Sequence, residues 1–252
     1  MMNAVRAEWI KLRTVRSTWV LLIVSIALTV GFAVLLGLVV DPEGGGRRGD
    51  GGPSPTVQTT LVGFAIATLL VGVVSVLVAT GDFRFTIRQT LAAEPRRLRV
   101  MAAKATVVTL ATTVIGAVMI ALAVGIGSLI FKSRSISVSF KDDGWSTIIG
   151  SLLYLFLFSL AGLAIGLLIR HSAGAIVLLL VWPLLVEPIL GALSRNYFSW
   201  MLRWLPFTAG GRLTSFNDDT LLLGRWTGGL YFAAWVAALL ALGAYLLKRR
   251  DA

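Results

Sequence analysis

Six long apolar segments constrain this chain more than any other feature of its sequence. A helix needs about 20 mostly apolar residues to cross the hydrocarbon core of a bilayer. The segments that reach this length are residues 19–40, 57–80, 101–131, 146–169, 173–193 and 225–247. Of the 252 residues, 57% are hydrophobic and only 14% are charged, against ~25% charged in soluble domains. We therefore predict an all-α, polytopic integral membrane protein with residues 1–252 as a single transmembrane domain.

The charged residues indicate how the six predicted spans are oriented. If the N-terminus is cytoplasmic, the cytoplasmic side holds 14 of the 23 Lys and Arg residues and 4 of the 12 Asp and Glu residues. This is the bias expected of cytoplasmic loops. We predict a plasma-membrane protein with both termini in the cytoplasm. The basic residues cluster beside the apolar segments, so the net charge of +11 does not indicate nucleic-acid binding.

A basic amphipathic stretch, VRAEWIKLRTVRSTW, precedes the first span. Its apolar side consists of Val5, Trp9, Ile10 and Leu12, and its basic residues include Arg6, Lys11 and Arg13. Such a helix is expected to lie along the inner leaflet, where anionic lipid attracts Lys and Arg. The alternative is ordinary basic flanking of a first span.

A second cytoplasmic element, GDFRFTIRQTLAAEPRRLR, lies between spans two and three. Gly81 is expected to end the preceding helix, and Asp82 is a favourable N-cap residue. In a helix over Asp82–Ala93, Phe83, Ile87 and Leu91 share one face, while Arg84, Arg88 and Gln89 lie on others. Pro95 closes the element. A structured loop of this kind favours docking to a partner protein, and a helix lying on lipid headgroups is the alternative.

The two largest predicted outer loops differ in composition. Residues 41–55 are rich in Gly and Pro and are expected to form a mobile loop. The segment Ser194–Gly224 is rich in aromatic residues, which favour the membrane interface. We predict short interfacial or re-entrant helices in this segment, interrupted by Pro206 and by the Gly210–Gly211 pair.

Small residues follow one face of span two: Ala65, Thr68, Gly72, Ser75 and Ala79. Small residues allow helices to approach closely in lipid. This face therefore either packs against a neighbouring helix or lines the subunit interface and a substrate path. Gly162 and Gly166 are likewise expected to pack closely. The similarly spaced Gly224 and Gly228 are expected at the outer surface.

Glu187 is the most informative ionisable residue, because a carboxylate within an apolar segment is costly and needs a partner. It lies near the outer end of span five, between Pro183 and Pro188. The candidate partners are Arg195, Arg203 and Arg212, and the sequence does not choose among them. A structural ion pair or cap is one interpretation, and proton coupling or binding of a cationic substrate is the other.

Several chemistries lack the residues they need. The chain has no cysteine and one histidine, His171, so it has no thiolate metal site, and a single histidine does not make a metal site. No span has an aspartate in its core, which disfavours an intramembrane protease. No phosphate-binding loop of the GxxxxGK[ST] type occurs. We predict no enzyme activity, and ATP hydrolysis, if it drives this chain, must occur on another one.

Four stretches resemble permease subunits of type-2 ATP-binding-cassette exporters. They are EWIKLRTVRSTW, TIRQTLAAEPRRLRVMAAK, WPLLVEPILGAL and WLPFTAGGRL, and they occur in the family's order over nearly the whole chain. The Gly-rich first outer loop departs from the family pattern.

The resemblance implies a homo- or heterodimer of permeases that binds two cytoplasmic ATPase subunits, which carry ATP and Mg. It also implies residue roles. The coupling helix seated on the ATPase would contain Asp82, Arg84, Phe85, Ile87, Arg88, Gln89 and Leu91. The interfacial helix would contain Arg6, Trp9, Leu12 and Arg13, and the substrate path or subunit interface Thr68, Gly72, Ser75 and Glu187. The substrate would be an amphipathic or hydrophobic drug, antibiotic, peptide or lipid. A self-sufficient secondary transporter or channel is the alternative.

Overall fold

A computed structural model of the chain describes residues 2–39, 57–85, 97–134, 140, 144–197, 199–214 and 222–249. The described secondary structure is entirely helical. The helices are α1 (Met2–Thr14), α2 (Arg16–Val39), α3 (Val57–Thr60), α4 (Val62–Phe85), α5 (Arg97–Ser133), α6 (Gly144–Ile169), α7 (Ser172–Val181), α8 (Glu187–Tyr197), α9 (Pro206–Gly211) and α10 (Arg225–Arg249). A π-helical segment, Trp182–Val186, joins α7 to α8, and a 3-10 segment, Ser199–Trp204, precedes α9.

Six of these helical units are long and apolar enough to cross a membrane, as the sequence predicts. The units are α2, α4, α5, α6, the continuous α7–α8 unit and α10. The fourth and fifth of these units form a tight hairpin, because α6 ends at Ile169 and α7 begins at Ser172. Arg170 makes the turn with a positive φ of 58°, and the Nδ1 atom of His171 caps α7 by accepting from Gly174 N.

The predicted helix break at Gly81 is wrong. Helix α4 continues through Gly81 to Phe85, so Asp82, Arg84 and Phe85 belong to its last turn and do not begin a separate helix. A glycine in a helix costs only about 1 kcal/mol, which the continuing backbone hydrogen bonds offset. The other predicted coupling-helix residues, Ile87, Arg88, Gln89 and Leu91, lie outside the described residues.

Helices α4 and α6 form the centre of the bundle. Gly162 and Gly166 on α6 bring the two helices together, as expected for glycines four residues apart. A Cβ atom added at Gly162 would lie 2.7 Å from Gly72 O, and one added at Gly166 would lie 2.6 Å from the Cβ of Ala79. Around this pair, α2 packs on α4, and α5, α7 and α10 pack on α6.

Helix α1 lies against one end of the bundle and is fixed there by a buried ion pair. Leu12 packs against Val107 and Ala111 of α5. The carboxylate of Glu8 contacts Lys104 of α5, with an Oε2–Nζ distance of 2.8 Å. The same ammonium group donates to the carbonyl oxygen of Val78 in α4, at 3.1 Å. The pair therefore joins α1 to the two helices that flank residues 86–96.

Candidate functional site

A cavity of about 510 Å³ lies at the end of the bundle opposite α1. Its walls are the first turns of α4, the first half of α6, the junction between the π-helical segment and α8, and helix α9. We call it the α4–α9 cavity. Ile66 and Leu184, which line it, are 42% and 58% exposed. The cavity therefore opens at the side of the bundle.

Helix α9 forms one wall because it runs into the bundle. Pro206 begins the helix, where a missing backbone N–H costs nothing, and Gly211 ends it. The ring of Phe207 is buried among Phe158, Phe232 and Trp235, with centroid distances of 5.7, 5.3 and 6.1 Å. Short helical segments are thus present in Ser194–Gly224, and α9 packs into the bundle.

Close backbone approach holds α9 and the turn after it between α6 and α10. A Cβ atom at Gly150 of α6 would collide with the carbonyl oxygen of Leu213. A Cβ at Gly228 of α10 would lie 2.5 Å from Ala209 O. Gly228 is therefore a buried packing residue of α10.

Glu187 caps α9 from the wall opposite. Its Oε1 atom accepts from Phe207 N at 2.9 Å, and its Oε2 atom accepts from the N–H and the hydroxyl of Thr208 at 2.6 and 2.8 Å. The residue is only 1% exposed. A carboxylate suits this position because the first N–H groups of a helix lack intrahelical partners and carry partial positive charge.

The π-helical segment explains how Glu187 reaches α9. Pro183 lacks a backbone N–H and disrupts the regular i to i−4 ladder, and the helix widens over Trp182–Val186. Such a one-turn π-helical insertion changes the direction in which the following side chains point. Glu187 is the first residue after this segment.

The predicted site residues fall into separate places. Thr68 and Glu187 line the α4–α9 cavity. Gly72 and Ser75 lie outside it, in the contact between α4 and α6, where Phe158 covers Gly72 and Ser75 is fully buried. The positions of Gly72 and Ser75 agree with the first interpretation of the small residues on span two, which is packing against a neighbouring helix.

The two elements predicted to be cytoplasmic are described only in part. In α1, Leu12 faces the bundle, whereas Trp9, Arg6 and Arg13 are exposed.

Of the candidate partners for Glu187, Arg212 donates to Leu223 O, and the side chain of Arg195 lies outside the described residues. The described hydrogen bonds of Glu187 all come from Phe207 and Thr208.

Tyr154 is a cavity residue that sequence reasoning missed. Its ring packs against Phe158 and Phe232, with centroid distances of 5.7 and 5.9 Å, and it lines the cavity together with Ser151. The helical spacing of Ser151 and Tyr154, i and i+3 in an apolar span, is the signal that could have found them.

In the part of the chain that the structure describes, no group of three His, Asp or Glu side chains could hold a metal ion.

Replacing Glu187 with leucine should destabilise the chain by about 2 kcal/mol, because a lost N-cap costs up to that amount. Glu187→Gln should lose less, since its amide oxygen still accepts from α9. Thermal unfolding in detergent measures both changes. Equal stability of Glu187→Leu and the unchanged chain would contradict the capping role.

Comparison of the sequence with protein-family models and with curated proteins finds no match.

Proposed function

We propose that this chain is the permease subunit of an ATP-binding-cassette exporter. It would move an amphipathic or hydrophobic substrate out of the cell, while a separate cytoplasmic subunit binds ATP and Mg and hydrolyses the ATP. The observation that carries the proposal is the ordered resemblance of four stretches to type-2 permeases, together with six helices long enough to span a membrane. The missing phosphate-binding loop fits a chain whose energy source is a partner.

The packing at the α1 end supports a mechanical form of coupling. Residues 86–96 connect α4 to α5, so a force applied to them by an ATPase would act on both helices. The ion pair between Glu8 and Lys104 joins α1 to this same region. In the proposed mechanism, closure of the ATPase subunits therefore moves α1, α4 and α5 together and changes the access to the α4–α9 cavity.

Affinity purification from native membranes tests the proposal. The full chain should recover a protein with a phosphate-binding loop, and the complex should hydrolyse ATP while the chain alone should not. Leu91→Glu should reduce recovery of that protein at least tenfold, because it places a charge in the predicted docking surface. Arg203→Glu, an exposed charge reversal at the other end of the chain's spans, is the control and should leave recovery unchanged.

Two outcomes would overturn the proposal. ATP hydrolysis by the purified chain alone would show that the ATPase activity does not come from a separate subunit. Substrate movement by the chain alone in liposomes, driven by a proton gradient, would instead support the secondary-transporter alternative. The buried carboxylate of Glu187 is the feature that such a transporter would use.

A further inference from the structure

We propose that the α4–α9 cavity binds amphiphiles whose head group is a small protonated amine, and that Glu187 and Tyr154 contact this head group. The inference rests on the proposed function only in that it names the class of substrate. Among the described residues, the lining of the cavity includes one carboxylate, that of Glu187, and no Lys, Arg or His. A negatively charged head group would meet this carboxylate with no basic side chain among the described lining residues to balance it, so the charge of this part of the lining selects against anions.

The hydrogen-bonding groups of the cavity favour a ligand that donates hydrogen bonds. A carboxylate offers about four acceptor positions, and the three described donors to Glu187 leave one on Oε1. The hydroxyls of Tyr154 and Ser151 form no hydrogen bond with any described residue, although both residues line the cavity. An ammonium group has three N–H donors, which is the number of acceptors that these three side chains offer.

The aromatic residues favour a cation over a neutral donor. Phe64, Tyr154 and Phe207 all line the cavity. A cation near an aromatic face is attracted by the negative potential of the ring, and more strongly where water is excluded. A neutral alcohol of the same shape gains neither this attraction nor the attraction of Glu187.

The burial of Glu187 limits the size of the head group. With only 1% of the residue exposed, at most an edge of Glu187 borders the cavity. A primary amine can approach that edge more closely than a trimethylammonium group, whose methyl groups hold the charge away. The rest of the lining is largely apolar, and about 510 Å³ lies within the range of ~300–1,000 Å³ typical of small-molecule sites.

A ligand series that shares one apolar body tests the inference. The probe is radiolabelled 4-(1-naphthyl)butylamine, bound to the purified full chain in nanodiscs of zwitterionic phosphatidylcholine and measured by scintillation proximity. The matching alcohol, carboxylate and trimethylammonium compounds serve as competitors, and empty nanodiscs give the lipid background. We expect the alcohol and the trimethylammonium compound to compete at least tenfold more weakly than the amine, and the carboxylate not to compete.

Two conservative variants locate the head group. Glu187→Gln retains an acceptor for α9 and should weaken amine binding at least tenfold while changing alcohol binding less than twofold. Tyr154→Phe retains the ring contacts and should weaken amine binding severalfold. Tyr245→Phe, which removes a hydroxyl near the other end of α10, is the matched control and should bind as the unchanged chain does.

Three results would overturn the inference: amine binding no greater than in empty nanodiscs, equal competition by alcohol and amine, or unchanged amine affinity in a folded Glu187→Gln variant. If Glu187→Gln does not fold, Tyr154→Phe and the ligand series on the unchanged chain still decide. The assay contains no ATPase, so a negative result leaves the test by co-purification standing. Conversely, binding of the amine as expected would support this inference even if no ATPase is recovered by co-purification.

Discussion

Replacing Lys104 with methionine should destabilise the chain by up to about 3–5 kcal/mol. That is the usual cost of removing one partner from a buried ion pair, because the remaining charge loses its buried partner. Here the remaining charge would be Glu8, whose side chain is only 4% exposed and which would keep only Lys11, whose side chain is 39% exposed. Helix α1 should then lose its main polar attachment to α5. The measurement is the free energy of unfolding from titration with sodium dodecyl sulfate in mixed micelles.

Lys11→Met is the control for this prediction. Lys11 binds the same carboxylate, at 2.9 Å, but its side chain is 39% exposed, and exposed ion pairs contribute only about 0–1 kcal/mol. The double variant Glu8→Leu, Lys104→Met removes both buried charges and should recover most of the lost stability. If Lys104→Met and Lys11→Met cost the same, the ion pair does not fix α1.

Replacing Gly150 with alanine should destabilise the chain by about 1–3 kcal/mol or more, as overpacking of a filled core does. The added methyl group would meet the backbone oxygen of Leu213, not a flexible side chain. The turn after α9 must therefore move away from α6, and it carries α9 and the cavity wall with it. We expect a lower unfolding temperature and a loss of any ligand binding in the cavity.

Gly125→Ala is the matched control, since it makes the same change in another long helix. Apart from its chain neighbours and the nearby backbone of its own helix, no described atom lies within 4 Å of the position that its Cβ would take. The higher helix propensity of alanine, worth up to about 1 kcal/mol, should then leave the stability equal or slightly higher. A loss of stability in Gly125→Ala as large as that in Gly150→Ala would show that the collision with Leu213 is not the cause.

The spans could be predicted from the sequence because the requirement behind them is local. Each crossing needs its own run of apolar residues, and the helix limits differ from the predicted ones by only a few residues, as with 225–247 against Arg225–Arg249. The predicted helix break at Gly81 failed because the end of a helix is not decided by the local sequence alone. Glycine weakens a helix without ending it, and whether a helix continues depends on what surrounds it.

The candidate site could be predicted only in part. Glu187 was recognisable because a carboxylate in an apolar segment is exceptional. Its partners are the N–H groups of Phe207 and Thr208. Because every residue except proline has a backbone N–H, the sequence does not show which of them bind the carboxylate. The Glu8–Lys104 pair joins residues 96 positions apart. Both of its members resemble ordinary flanking charges, so only packing shows that they are buried together.

The cap that Glu187 places on α9 has a consequence for the biogenesis of the chain. The carboxylate precedes its partners, Phe207 and Thr208, by 20 and 21 residues. At a synthesis rate of ~5–20 residues per second, Glu187 leaves the ribosome about 1–4 s before the backbone groups that bind its carboxylate. During that interval we expect α8 to keep Glu187 near water, because a carboxylate without partners is costly in lipid. The α7–α8 unit and α9 are therefore expected to assemble together.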